Sequence, residues 1–332
     1  MDQTATSVGV HGNVKARQLI TSPMIRSIFG TELLGQAHPS LNNIDKLRYH
    51  VAKWQSRKTP FGTDVLGVVF DFWRNPDLRD YIRRLEVLAD GRIFFVAMSR
   101  QQAEDITNLP GFEVDMSFKG TAGDVNEWEI AYFHPTMRLT LTFARIFTNS
   151  STADAYCQIF DAVADTIKEH TGKYPNWRHI HGEGWAYVQA DLDVAQAKGL
   201  GMHLEKIDST KNAEEHLQHV LIACITHYGR KLDEKHFPQE VKRLMASIPY
   251  LEDSVAIDHA IADLMGRQEK EIHDWLDFYL RPWVLSSLSP VYTKVPHDIF
   301  SSLSRTTNAS ESNHANANRD GKKMNLLETI YT

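Results

Sequence analysis

Gly111-Phe112-Glu113-Val114-Asp115-Met116-Ser117-Phe118-Lys119 is the stretch whose reading decides the fold. Phe112 and Val114 alternate with Glu113 and Asp115, the two-residue period of a strand. The run follows Leu109-Pro110-Gly111, a turn signal. One face is apolar and the other carries an acid. Two further β-rich runs come next, over residues 128–134 and 139–147, divided by His134-Pro135-Thr136. Three consecutive strands with short connections predict an antiparallel meander with Asp115 in its first strand. A lone acid there reads, by itself, as a solvated or hydrogen-bonded surface group. The segments beyond the meander give it a second reading.

Upstream, Asp90-Gly91 between runs at 81–88 and 93–98 predicts a hairpin, and residues 99–107 a short helix. Residues 1–40 are a loose lead-in with one short helix near 24–34. Helices are expected at 44–57, where Leu47, Val51 and Trp54 recur at helical spacing after Asn42-Asn43, and at 64–74, ended by Asn75-Pro76. These read as a small packed bundle. Downstream, residues 153–170 form an amphipathic helix with Tyr156, Ile159, Phe160, Val163 and Ile167 on one stripe. A short fourth strand is expected at 177–181, closed by Gly182-Glu183-Gly184, then a helix over 185–198. Gly199-Leu-Gly201 lacks the third glycine and the Lys-Ser/Thr pair of a phosphate loop and is expected to end that helix.

Residues 205–282 read as wholly helical, with segments at 213–228, 238–246, 254–265 and 270–279, and residues 284–300 as irregular. His216 and His219 stand three apart, but Glu214, Glu215 and Arg230 suit a solvated helical face better than zinc. Residues 305–319 have the composition of a polar tail. Against that, residues 324–331 have helical apolar spacing, and Thr307 and Asn308 are good helix starters.

Of the 332 residues, 42% are hydrophobic and 23% charged, a balance that supports a sizeable core. The net charge of −6 argues against coating nucleic acid by bulk charge but leaves room for a local basic groove. Two cysteines, Cys157 and Cys224, exclude a disulfide framework and a four-cysteine zinc site and read as reduced intracellular thiols. No apolar run is long enough to span a membrane, and the N-terminus lacks the pattern of a signal peptide.

A βββαβ run with an acid in its first strand is the opening of the ribonuclease H-like fold. That fold gathers carboxylates from its first strand, its fourth strand and a late helix around divalent metal. Two metals about 4 Å apart serve phosphodiester chemistry, and magnesium and manganese take oxygen ligands. At this point the chain resembles the Mutator-like element (MULE) transposases of eukaryotes. Asp90-Gly91-Arg92-Ile-Phe-Phe followed by Gly-Phe-Glu-Val-Asp115-Met-Ser-Phe-Lys is similar to that family's hairpin leading into its first catalytic strand. Thr307-Asn308-Ala-Ser-Glu311-Ser312-Asn313 is similar to its Thr-Asn-x-x-Glu-Ser motif, which bears the third acid. The helical block over about 205–300 matches its insertion between the second and third acids.

The resemblance, over roughly residues 40–332, implies an α/β fold. It would be a ribonuclease H-like mixed sheet with a βββαβ core, small N-terminal helices over 1–80 and the first part of the core over 81–204. A helical insertion over 205–300 would precede a last core helix within 301–332. It implies DNA strand cleavage and joining with Mg2+ or Mn2+, DNA as partner, a nuclear or intracellular location, no membrane, and homo-oligomers. Asp115 and Glu311 would ligate metal. For the second acid the sequence offers Glu183, between two glycines at the end of the expected fourth strand. Asp191 and Asp193 stand two apart on an expected helix, and a site with no working second acid is the further alternative. With Glu183 in that place, weak or absent cleavage is expected, restored by Glu183→Asp. His179 and His181 share one face of the expected strand and could stand by the metal. Lys119, Arg138, Arg145, Lys322 and Lys323 are candidates for phosphate contact. The same residues also allow a catalytically inactive, transposase-derived DNA-binding or protein-interaction module, or an unrelated α/β protein whose acids never meet.

Two departures stand out. The family's Cys-x-x-His pair downstream of the second acid is matched here to Leu200-Gly-Met-His203, which keeps the His and lacks the Cys. Its N-terminal zinc module has no counterpart. The chain stops about 20 residues after Glu311, as a fragment or shortened descendant would.

Overall fold

The computed structural model describes residues 16–21, 30, 34–117, 123–305 and 324–331. The chain divides into two compact units, one of residues 1–79, 119–125 and 317–332, the other of residues 80–118 and 126–316.

The smaller unit holds α1 (Ala16–Thr21), α2 (Leu34–Ala37), α3 (Ile44–Lys58), α4 (Val65–Arg74) and α17 (Leu326–Tyr331), with α5 (Pro76–Tyr81) straddling its boundary. The Asn43 side chain caps α3 by accepting from the Asp45 and Lys46 amides, which satisfies otherwise orphaned donors. Leu47 and Val51 pack with Leu19 and Leu41. Asp64 caps α4. The 324–331 segment is helical over α17, burying Leu326, Leu327 and Ile330, and the Leu327 amide donates to the Thr63 carbonyl.

The larger unit is built on a seven-stranded mixed sheet. Its strands are β1 (Ile82–Val87), β2 (Ile93–Ala97), β3 (Gly111–Ser117), β4 (Asn126–His134), β5 (Leu139–Thr148), β6 (Tyr187–Ala190) and β7 (Leu221–Ala223), ordered β1-β2-β5-β4-β3-β6-β7. The pairs from β1 to β3 are antiparallel. The β3–β6 and β6–β7 pairs are parallel. The hairpin and the meander follow the expected order. Gly91 makes the β1–β2 turn at φ 84°, where a side chain would be strained.

After α6 (Arg100–Ile106) and the meander, α7 (Ala153–Thr171) carries the chain across the sheet. Tyr156, Ile159, Phe160, Val163 and Ile167 on α7 meet Val96, Phe112, Val114, Trp128, Ile130 and Ile146 of the sheet in one core. The chain continues through α8 (Arg178–His181), α9 (Val194–Ile207), α10 (Ala213–Val220), α11 (Ile225–Asp233), α12 (Gln239–Ser247), α13 (Ser254–Met265), α14 (Lys270–Tyr279), α15 (Pro282–Leu288) and α16 (His297–Ser302). On the other sheet face, Tyr187 and Ile222 pack with Val295 and Phe300.

Four expectations are corrected. Residues 178–181 are one helical turn, and the fourth core strand is β6, inside the segment expected to be helix. β6 is buried at all four positions, so it shows no alternation, as parallel strands covered on both faces do not. β7 interrupts the expected helix at 213–228 for the same reason. Gly199 and Gly201 lie within α9: a Cβ on Gly199 would stand 2.4 Å from the Tyr156 Cβ, so the residue lets α9 close on α7. Residues 284–300, expected to be irregular, contain most of α15 and the start of α16.

Candidate functional site

Parallel pairing between β3 and β6 sets Gly111 opposite Tyr187, Phe112 opposite Val188 and Glu113 opposite Gln189. Continued by two residues, that register would bring Asp115 level with Asp191, the first residue beyond β6, and Asp115 is among the charges that act on the Asp191 carboxyl. Side chains two apart on a strand share a sheet face, so Asp115 follows Glu113 on the face away from α7. On β4, Glu129 pairs with Asp115. β7 ends beside them: the Cys224 amide donates to the Ala190 carbonyl, one residue before Asp191. The carboxyl ends of three parallel strands thus converge, the position at which open α/β sheets bind ligands.

The electrostatics match this convergence. Burial pushes the Asp191 carboxyl up; Lys231 and His227 oppose that, and Asp193 and Asp115 add to it. Burial also raises the Tyr156 hydroxyl on α7, with Asp193, Asp191 and Asp115 contributing. His227 and Lys231 lie one turn apart on α11, a spacing that places them on one face. The Lys231 ammonium donates to the Leu192 carbonyl at 3.1 Å. His227 is raised by its hydrogen bond with Cys224, against the effect of burial, with help from the charges of Asp191 and Asp115. Asp193 is committed to capping α9, accepting from the Gln196 amide at 2.7 Å.

The other residues singled out in the sequence lie elsewhere. Glu183 is exposed between Gly182 and Gly184, accepts from the Asn176 side-chain amide at 2.9 Å, and precedes β6. The Ala186 amide bonds the Pro110 carbonyl, so Glu183 belongs to the end of the sheet where β3 begins. Asp115 is five residues along, about 16 Å at strand rise. Arg138 sits in the β4–β5 turn at that same far end, because β4 runs antiparallel to β3 and its start, not its end, pairs with Asp115. Arg145 lies opposite Glu129 but its guanidinium is held in an ion pair with Glu127, itself 4% exposed. Glu311, Lys119, Lys322 and Lys323 lie outside the described residues.

The histidines also differ from expectation. His216 is fully buried rather than solvated. Its Nε2 bonds the Asp208 carbonyl at 2.7 Å and its Nδ1 pairs with His179 Nε2 at 2.9 Å. His219 stacks on His179. His181 Nδ1 accepts from the Trp177 amide. His203 bonds Asp161 at 2.6 Å between α7 and α9 and is structural. The sequence does contain the Cys-x-x-His spacing, at Cys224-Ile-Thr-His227. It is hidden at the level of sequence because β7, which ends just before its cysteine, reads as helix.

Among the described residues no group of three His, Cys, Asp or Glu side chains is placed to hold a metal ion, and no helix is long and apolar enough to cross a membrane. Comparison of the chain with models of protein families, with curated proteins and with solved structures finds no match.

Proposed function

We propose that the larger unit is a ribonuclease H-like domain of transposase type, acting on DNA by metal-assisted phosphodiester cleavage and joining. The observation that carries this reading is the parallel pairing of β3 with β6, which, continued two residues, would bring Asp115 level with Asp191, together with the effect of the Asp115 charge on the Asp191 carboxyl. Three antiparallel strands, a crossover helix and two parallel strands, in the order β5-β4-β3-β6-β7, support the fold assignment. The resemblance to Mutator-like transposases supports the activity. Its second acid is then Asp191 and its Cys-x-x-His pair Cys224 and His227. The third acid would be Glu311.

Two carboxylates supply the oxygen donors that magnesium or manganese takes, burial and the Asp115 charge on Asp191 being what a divalent cation would relieve, and the remaining donor would have to come from Glu311, outside the described residues. Bound there, the cations would supply activation of the attacking oxygen and neutralisation of the phosphate. The chain's own part is to hold the two carboxylates in register, to keep the Asp191 side half-buried, and to present the Lys231 ammonium and His227 beside it.

Nicking of supercoiled plasmid with Mg2+ or Mn2+ tests this. Asp115→Ala and Asp191→Ala are each expected to lower the rate by at least about a hundredfold, the scale of a lost or misplaced reacting group, while Glu183→Ala leaves it unchanged. Cleavage that survives Asp191→Ala would remove the assignment. DNA binding by a wild type that does not cleave would leave the inactive binding module in its place.

A further inference from the structure

Asp115 lies in a cross-strand row of charge that extends beyond the Asp115–Asp191 pair. Glu129 on β4 is its direct partner, and Arg145 on β5 is the partner of Glu129. Residues directly opposite one another share a sheet face, with Cβ atoms about 5 Å apart. The face away from α7 therefore carries Arg145, Glu129 and Asp115 in line across β5, β4 and β3. Glu129 is 6% exposed, and Asp115 is half-buried. Glu127, two residues from Glu129 and 4% exposed, shares that face and holds the Arg145 guanidinium in its ion pair. Burial acts to lower the pKa of that guanidinium, and Glu127, Tyr81 and Glu129 outweigh it and raise it.

Such a row is costly for a sheet. Like charges directly opposite on neighbouring strands repel, and a buried carboxylate needs a counter-charge. Here the charges of two buried carboxylates, Glu127 and Glu129, act on the same guanidinium. Arg145 balances one of them, so the row reaches Asp115 with negative charge in excess. Departures from local rules of this kind gather at functional sites, and the place of this one gives the excess a use. Magnesium bound by carboxylates keeps several of its waters, and a carboxylate beside the ligands that accepts from those waters orients them. We propose that Glu129 is a positioning residue of the Asp115–Asp191 site, its carboxylate orienting the water shell of a cation bound there while Arg145 keeps that carboxylate ionised. Glu129 is not itself a ligand in this arrangement, since among the described residues no three such side chains are placed to hold one ion. The inference rests on the metal reading of the site given above.

Titration of Mn2+ into the full chain, with free Mn2+ read from its electron paramagnetic resonance signal, tests it without recourse to cleavage. Wild type is expected to bind and Asp115→Ala to lose binding. Glu129→Gln, which keeps the shape and removes the charge, is expected to weaken affinity at least about tenfold, the scale of a lost partner to a metal ligand or its water, with an unchanged circular dichroism spectrum. Glu129→Asp, which keeps the charge, is expected to bind more tightly than Glu129→Gln. Glu127→Gln removes the ion-pair partner of Arg145 and is expected to lower the urea midpoint while Mn2+ affinity stays near wild type. Wild-type affinity in Glu129→Gln, equal binding by the Gln and Asp variants, or a loss in Glu127→Gln as large as in Glu129→Gln would each overturn the inference and leave the Asp115–Asp191 reading standing. A wild type that binds no Mn2+, or an Asp115→Ala variant that binds as wild type does, would remove that reading and the inference with it.

Discussion

The proposed role of Asp191 turns on one backbone register. The residue is visible in the sequence as an acid, but its neighbour is not, because the strand that leads to it carries no local signal. Asp115 is legible for the opposite reason: its strand alternates. Glu183 draws attention through its flanking glycines, and the structure accounts for both of them as positive-φ turns before β6. The histidine cluster yields a separate prediction at this scale. Burial holds His179 at about 3, with His219, His216 and Lys211 adding to the depression and Asp208 opposing it. Burial holds His219 at about 4, with Lys294, Lys211 and His216 contributing. Both are therefore neutral in the folded chain at neutral pH. Below the ordinary histidine value near 6.5 the unfolded chain takes up protons that the folded chain does not. Stability is then complete above about pH 6.5 and declines as pH falls towards about 4, by on the order of 1 kcal/mol per pH unit for each histidine. Urea midpoints at intervals from pH 7.5 to 4.5 should show that slope, and His219→Gln should flatten it. An unchanged slope in the variant would place the titration elsewhere.

The elements divide by how much of them water sees. The β1–β2 hairpin is marked by Asp90-Gly91 between two β-rich runs, the first strand of the meander alternates, and α7, α13 and α14 show helical periodicity, so their order and approximate bounds can be read directly. β6 and β7 are covered on both faces and are too short to signal themselves by length. The only local mark of β7 is a brief run of β-branched and apolar residues inside an otherwise helical pattern. The two glycines of α9 mislead in the same way, since a glycine reads as an end when its role is contact. Gly199→Ala should cost about 1–3 kcal/mol in thermal or urea unfolding, the range for overpacking, because its Cβ would also stand 2.8 Å from the Ala153 carbonyl oxygen. Gly229→Ala on α11 meets nothing within 4 Å and should stabilise by about 0.5–1 kcal/mol through helix propensity. Equal effects from the two would show that the close approach of α7 and α9 is not what Gly199 serves.

Over the whole molecule, the two units respond to different perturbations. Leu327→Ala removes buried side-chain volume from α17 and should destabilise the smaller unit by about 2–5 kcal/mol, read as lost amide protection in α3 and α4. Protection in those helices equal to wild type would mean that α17 contributes little. On the proposed reading, a chain with a net charge of −6 would hold DNA through a few local contacts, so binding seen near 50 mM salt should weaken by an order of magnitude or more by about 200 mM. Salt-independent retention would point away from phosphate contact. The sheet order has one more consequence, in time rather than space. β1–β2 and the meander β3–β4–β5 can each pair through short connections, while β2 meets β5 across some 50 residues. β6 reaches β3 only after the α7 crossover has been laid down, and β7 only after α9 and α10. Non-local pairings form slowly, since loop-closure entropy is lost before contact is gained. The meander is therefore expected to be protected from hydrogen exchange first during refolding, and β6 and β7 last. Until that final step Asp115 has yet to meet Asp191, and the repulsion between the two carboxylates arises only when the rest of the sheet is already in place to bear it.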